Sequence, residues 1–361
     1  MMFPLFYYLL VAVISVLLVL IILPSVIHVA KQKKLFDDNS VSRKEHGYGI
    51  PRLGGVAVYL SIVLTSLLII VKNESVLPMY ELYAASIILF LMGVKDDLSG
   101  VHSHTKLFVQ AVISLIITVP GNIRVTNLHG IFNIHELSYA QSIVISVFMI
   151  MFIVNSFNLI DGIDGLAGTL GVIACCTFGY YFMQAGQVEL TALALATAGS
   201  LIAFLAYNYS PAKIFMGDAG SLFLGMLCAV FAIKFIAINE ASTMHSLQAA
   251  PAFAAAILIV PAFDTFSIVV TRIYNKKSPF KPDRNHIHHR MLRLGLTHLQ
   301  TTFILGTVNV FFIVLAMLFS QADNQLLLLL FTVILLVMNG FVNYLLYAKT
   351  KQAYPFGSLI S

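Results

Sequence analysis

From Phe3 to Val29 the chain carries no charged residue, and ten further apolar runs follow. A spanning helix needs about 20 mostly apolar residues, because the hydrocarbon core is roughly 30 Å thick and a helix rises about 1.5 Å per residue. On that ruler the runs centre near residues 16, 61, 87, 113, 150, 175, 198, 228, 257, 310 and 336, giving about 11 (10–11) spans. Only 10% of the 361 residues are charged and 59% are hydrophobic, whereas a soluble domain carries roughly 25% charged residues. So few charges cannot solvate a surface of this size. A disordered chain, a nucleic-acid-binding domain and an ordinary cytosolic enzyme are excluded. The expected fold class is all-α integral membrane, a polytopic helical bundle.

Lys and Arg in the connections set the orientation, since they collect on the cytoplasmic side. With the N-terminus outside and the C-terminus cytoplasmic, 18 of the 21 fall inside, and only Lys72, Arg124 and Lys234 fall outside. The first run has no cation ahead of it and Lys31, Lys33 and Lys34 behind it, which predicts a retained span rather than a cleaved signal. Cys175, Cys176 and Cys228 lie within apolar runs and read as small packing residues. No repeat or low-complexity linker divides the chain. One polytopic domain over 1–361 is expected, its cytoplasmic face built from loops at about 30–50, 95–106, 158–166, 208–218 and 272–298.

That orientation, derived from Lys and Arg alone, puts every acidic motif on the same face. These are Val94-Lys-Asp-Asp-Leu98, Asn155-Ser-Phe-Asn-Leu-Ile-Asp-Gly-Ile-Asp-Gly165 and Phe215-Met-Gly-Asp-Ala-Gly-Ser221, with Arg284-Asn-His-Ile-His-His-Arg290 in the largest inside loop. Asp96, Asp97, Asp161, Asp164 and Asp218 at the rim of a low-dielectric slab would repel one another unless a cation intervened. They and the Asn158 amide are hard oxygen donors, which suit Mg²⁺ together with substrate phosphate, with Mn²⁺ as a substitute. Gly162, Gly165, Gly217 and Gly220 allow tight turns and close backbone approach. A helix beginning near Asp161 or Ser221 would offer free N–H groups to a phosphate. Lys106, Arg272, His286, His288 and His289 supply the positive side. Carboxylates with a metal plus cationic donors describe phosphoryl transfer.

Each piece also has an ordinary reading. An Asp-Asp pair at a helix end can be solvated, and Asp-Gly-Ile-Asp-Gly can be a turn. Asp264 can pair with Arg272 or a backbone donor. The histidine cluster can be a basic loop held by Asp283 or a zinc site, although no Cys or His-Glu-x-x-His set accompanies it. The other histidines, His298 among them, have no such company, and most read as solvated loop residues. No Gly-x-x-x-x-Gly-Lys-Ser/Thr loop and no Gly-x-Gly-x-x-Gly after a strand occurs, so a soluble-type nucleotide fold is not expected.

Taken in order, Pro51-Arg-Leu-Gly-Gly55, Lys95-Asp-Asp97, Lys106 with Gln110, Asn158 to Gly165, Phe215 to Ser221 and the segment 278–289 resemble the polyprenyl-phosphate N-acetylhexosamine-1-phosphate transferases (glycosyltransferase family 4). The resemblance spans roughly residues 30–300. His-Ile-His-His resembles the WecA-like branch rather than the MraY-like one, which typically shows a His-His-His-Phe-Glu string. The resemblance implies transfer of a sugar-1-phosphate, GlcNAc-1-phosphate first among the candidates, from a UDP-N-acetylhexosamine to undecaprenyl phosphate. UMP is released, and a lipid-linked cell-surface glycan is started in the bacterial cytoplasmic membrane. By position it implies Asn158 and Asp218 for Mg²⁺, with Asp161 and Asp164 completing the acidic pocket and Asp164 near the uridine. Asn208 and Phe215 become nucleobase neighbours, Lys106 and His288 hold phosphate oxygens, and Asp96 or Asp97 is the candidate base. A homodimer is compatible with it; a nucleic-acid partner is not expected.

Four rivals have their own signatures. An MraY-type phospho-N-acetylmuramoyl-pentapeptide transferase would share most motifs. An ion-coupled transporter would need charges near the bilayer midplane, whereas these lie at helix ends. A CDP-alcohol phosphotransferase needs Asp-Gly-x-x-Ala followed by Arg, which Leu166-Ala-Gly-Thr169 does not supply. An intramembrane aspartyl protease needs two deep facing aspartates, and only Asp264 is even arguably deep.

Overall fold

The computed structural model describes residues 5–35, 49–72, 79–241, 247–276, 278 and 285–353, and within them the chain is all-helical. The expected loop cations Arg43, Lys44, Lys277, Lys281 and Arg284, and Asp283, lie outside the described residues. The helices are α1 (Leu5–Gln32), α2 (Gly54–Lys72), α3 (Tyr80–Ser99), α4 (Ser103–Thr118), α5 (Tyr139–Ile160), α6 (Leu166–Gln184) and α7 (Val188–Asn208). They continue as α8 (Gly217–Ala241), α9 (Ala250–Ile257), α10 (Ile259–Tyr274), α11 (Ile287–Arg293), α12 (His298–Leu318) and α13 (Asn324–Ala353). A 3₁₀ turn at Ile131–Asn133 and one antiparallel bridge between Asn127 and Glu136 shape the link from α4 to α5.

All eleven expected centres fall in helices. Seven helices (α1, α5, α6, α7, α8, α12 and α13) are long and apolar enough to cross a bilayer, and the α9–α10 pair makes up to eight. Of the other three, α4 has only 16 residues and α3 ends in Lys95-Asp-Asp. Length and apolarity alone therefore do not carry the count to eleven.

Burial ranks the helices. In α7 and α8, 78% of the apolar window is buried, against 22% in α1 and 17% in α13. A helix apolar on every face belongs at the centre, and α8 is buried almost without interruption from Ala219 to Ile236. On the outer helices Phe6, Phe148, Phe303, Leu318 and Val337 point outward, a band that a bilayer accommodates and water does not. Small residues let α8 be crowded, as helix contacts in membranes require. A Cβ on Gly55 would collide with the Gly220 backbone, and one on Gly93 would lie 2.5 Å from Ala219 Cα. Between α1, α2 and α7, Ser61 donates to the Ser15 carbonyl (2.8 Å) and meets Ser200 Oγ (3.0 Å).

The run centred on 257 is not one straight span. It breaks at Leu258 with an 83° bend between α9 and α10. Pro261 has no N–H to give, and its ring crowds the carbonyl of the residue four back, Ile257. The freed groups are met from α12. Asn309, fully buried, donates Nδ2 to Ile257 O (3.0 Å) and accepts from Val260 N (3.4 Å).

Candidate active site

Four helix ends and one turn meet at the N-terminus of α8. Gly217 opens that helix with φ +72°, where a Cβ would run into the Arg52 carbonyl and the Asp97 carboxylate. Pro51 to Gly55 lies alongside as a short ladder: Phe215 N donates to Pro51 O (2.8 Å), Gly54 N to Phe215 O (2.9 Å) and Gly55 N to Met216 O (2.8 Å). Asp97, from the last turn of α3, accepts from Asp218 N (2.7 Å) and Ala219 N (3.0 Å). A helix N-terminus carries unmet donors and partial positive charge, and here a carboxylate from another helix takes both. The α8 N-terminus is therefore capped by Asp97, rather than open to a phosphate as the sequence suggested. No terminus lies at Ser221, which falls in the second turn of α8, where its hydroxyl accepts from Asn158 Nδ2 (3.0 Å).

The centre of the site is Lys106, from the first turn of α4. Its Nζ donates to Asp96 Oδ2 and to Asp218 Oδ2, both at 2.6 Å. Asn158, near the end of α5, donates Nδ2 to Asp218 Oδ1 (3.0 Å). Asp96 Oδ1 also accepts from Val101 N (2.6 Å), which ties the α3–α4 turn. Asp161 follows α5 directly. Burial pushes its carboxyl well above the usual carboxylate range; Asp218 and Asp97 add to this, and Arg52 opposes it. Lys106, Asn158, Asp161, Asp218, Asp96 and Asp97 thus form one acidic knot threaded by one ammonium.

Asp164 and Asn208 sit one step away and brace the turn. Asp164 faces His298 Nδ1 (3.3 Å), and its Oδ2 accepts from Ala212 N (3.3 Å). Thr302 Oγ1 donates to its carbonyl (3.0 Å). Asn208 accepts from Gly165 N (2.9 Å) and donates to Ile214 O (2.8 Å). Both of its amide atoms are thus engaged with main chain. Gly165, at φ +77°, starts α6. His298 was not singled out in the sequence; the Thr297–Gln300 capping box marks a helix start there but says nothing of Asp164.

The histidine cluster joins the knot from α11. A Cβ on Gly162 would overlap His288 Nε2, so this imidazole rests on the Asp161–Gly165 turn. His288 is 1% exposed and neither ring nitrogen has a partner. Burial lowers its pKa to about 3, so it is a neutral imidazole rather than the cation expected from sequence. His286 Nδ1 meets Asp264 Oδ2 (2.8 Å), and Asp264 Oδ1 accepts from Ile287 N (2.7 Å). Asp264 therefore anchors α11, not Arg272, and His286 is held by a carboxylate rather than pointed at phosphate. His289 packs on His288 with centroids 4.2 Å apart. Arg272, in the last turn of α10, donates to Ser278 O (2.7 Å). Phe215 meets the Pro51–Gly55 segment through its main chain. Among the described residues no three His, Cys, Asp or Glu side chains could hold a metal ion unaided.

Known proteins are similar to this chain in sequence. The model of glycosyl transferase family 4 matches residues 79–236, the stretch from α3 to α8. The chain is 32% identical over 341 residues to a probable undecaprenyl-phosphate N-acetylglucosaminyl 1-phosphate transferase of Bacillus subtilis (strain 168), covering 92% of each. The chain belongs to glycosyl transferase family 4. It is a multi-pass membrane enzyme of that family. Undecaprenyl-phosphate alpha-N-acetylglucosaminyl 1-phosphate transferases of Yersinia pestis and Escherichia coli O157:H7 are also similar. They are 29% identical over 272 residues (74% of this chain, 72% of the relative) and 30% identical over 286 residues (78% and 75%), respectively. The family 4 match begins at Met79 and ends at Ile236, so it takes in the Lys106 knot and stops short of the histidine helix α11.

Proposed function

We propose that this family 4 enzyme transfers GlcNAc-1-phosphate from UDP-GlcNAc to undecaprenyl phosphate. In this reading it crosses the bacterial cytoplasmic membrane with eleven spans, N-terminus outside, and its acidic knot faces the cytosol. The observation that carries the reading is the Lys106 ammonium between Asp96 and Asp218, in a chain whose similar relatives are named for this transfer. A lipid phosphate oxygen attacks the sugar-bearing phosphorus. The bond from that phosphorus to the bridging oxygen breaks, and the electron pair leaves on the phosphate of UMP. One phosphoanhydride replaces another, so the enzyme's task is to position two anions and neutralise their repulsion.

Lys106 is suited to pass from the carboxylates to the phosphate oxygens as the diphosphate enters. His288, neutral and with both nitrogens unpartnered, can donate one N–H to a phosphate oxygen without bringing charge. A phosphate monoester has a second pKa of about 6, so the lipid nucleophile is already mostly deprotonated at neutral pH. Asp96 then serves to hold Lys106, and Asp97 to hold the α8 terminus that carries Asp218; neither needs to act as a base. The donor set fits Mg²⁺, or Mn²⁺ as a substitute. Asp218 and the Asn158 amide oxygen are hard ligands, and Mg²⁺ is commonly held by one or two carboxylates plus substrate phosphates. When bound, it supplies charge neutralisation on the diphosphate.

The test is a panel of radiolabelled UDP-sugars offered to the purified protein in nanodiscs with undecaprenyl phosphate and Mg²⁺. UMP release and lipid-linked label are expected with UDP-GlcNAc foremost. Activity only with UDP-N-acetylmuramoyl-pentapeptide would move the assignment to the MraY-type reaction, and no release with any donor would overturn it.

A further inference from the structure

Across α11 from His288 lies a half-open cavity of about 510 Å³, lined by α10, α11 and the end of α13. Residues two apart on a helix point to nearly opposite faces, so Arg290 turns away from the acidic knot and into this space. It is only 8% exposed. Its NH1 donates to Asn343 Oδ1 (2.8 Å) and its NH2 to Asn339 Oδ1 (2.6 Å), while its Nε has no partner. Arg293 and Lys349 also line the cavity. Arg293 donates to Asn285 Oδ1 (3.2 Å) and Lys349 to the Arg293 carbonyl (3.1 Å). Among the described residues no carboxylate lies within ion-pair distance of these three cations. The nearest acid in influence, Asp264, is committed to His286 and Ile287.

A buried guanidinium normally has a carboxylate or phosphate to share its fork. Here it has two neutral amides and an idle Nε. The idle donor and two further cations on the wall form a receptor for negative charge that the described residues do not supply. Tyr344 and Tyr347, exposed on the same stretch of α13, mark the level where aromatic side chains meet lipid headgroups. Basic residues at that level attract anionic lipid.

We propose that this cavity is a binding site for a phosphate-type oxyanion, separate from the acidic knot. The oxyanion is carried on an anionic lipid headgroup or free in solution. This inference does not rest on the transfer reaction, and its test does not use activity.

The chain contains no Trp, so Leu346→Trp places one fluorophore in the cavity wall. In nanodiscs, brominated phosphatidylglycerol is expected to quench it more than brominated phosphatidylcholine at equal mole fraction. If the oxyanion is instead taken from solution, inorganic phosphate gives a saturable change in phosphatidylcholine nanodiscs, with no preference between the two brominated lipids. Arg290→Gln can loosen α11, so the deciding variant is Arg293→Gln with Lys349→Gln, both exposed positions. It should abolish the lipid preference or raise the half-saturating phosphate concentration about tenfold, as loss of a charged hydrogen bond implies. Neither response, or a response unchanged in the double variant, would overturn the proposal.

Discussion

Lys106 holds Asp96 and Asp218 together with one ammonium, and His288 lies beside that knot with no hydrogen-bond partner among the described residues. The imidazole gives a clean prediction because its pKa, about 3, lies below the ordinary 6.5. A depressed histidine contributes stability that is fully present above about pH 6.5 and is lost as pH falls toward its folded value. His288→Gln should therefore flatten the fall in melting temperature between neutral pH and about pH 4. An unchanged acid limb would show that His288 is not held neutral. Asp218 was legible in the sequence because a carboxylate wedged between apolar runs is expensive to place without purpose. The role of Asp97 was not. Capping a helix that begins 120 residues later leaves no local pattern, and Asp97 reads from sequence as the twin of Asp96. The same holds for Asn208, which looks free to meet a base but is spent on Gly165 and Ile214.

The elements show where periodicity stops being informative. Every apolar run is centred on a helix, yet the break at Leu258 sits inside a run that reads as uninterrupted. Pro261 was a visible signal for a bend; Asn309, which satisfies the broken ladder, lies on another helix and had none. Replacing it, as Asn309→Leu, leaves Ile257 O and Val260 N unmet in an apolar setting, at a cost of about 2–4 kcal/mol. A reduced midpoint in denaturant or detergent unfolding would register that loss, and a midpoint equal to the parent's would contradict this account of the bend. Close packing sets a second limit. Gly55 and Gly93 admit α8 only because neither has a Cβ, and sequence alone could propose them as turn glycines without saying which helix they face.

For the molecule as a whole, the bundle gathers Asp96, Asp97, Lys106, Asn158 and Asp218 around the start of one central helix. Impermeant labelling reads the membrane orientation directly. In a background lacking Cys175, Cys176 and Cys228, Asn122→Cys and Lys213→Cys probe opposite ends at exposed sites. A membrane-impermeant maleimide should label the first in intact cells and the second only after lysis; the reverse pattern would invert the topology.

The transfer account depends most on Asp218 facing the reacting diphosphate, so the direct measurement is UMP release by Asp218→Asn in nanodiscs with UDP-GlcNAc, undecaprenyl phosphate and Mg²⁺. The predicted result is a fall of about a thousandfold with the thermal transition retained. Turnover within about twofold of the parent would be inconsistent with the charge-stabilising role assigned to this carboxylate.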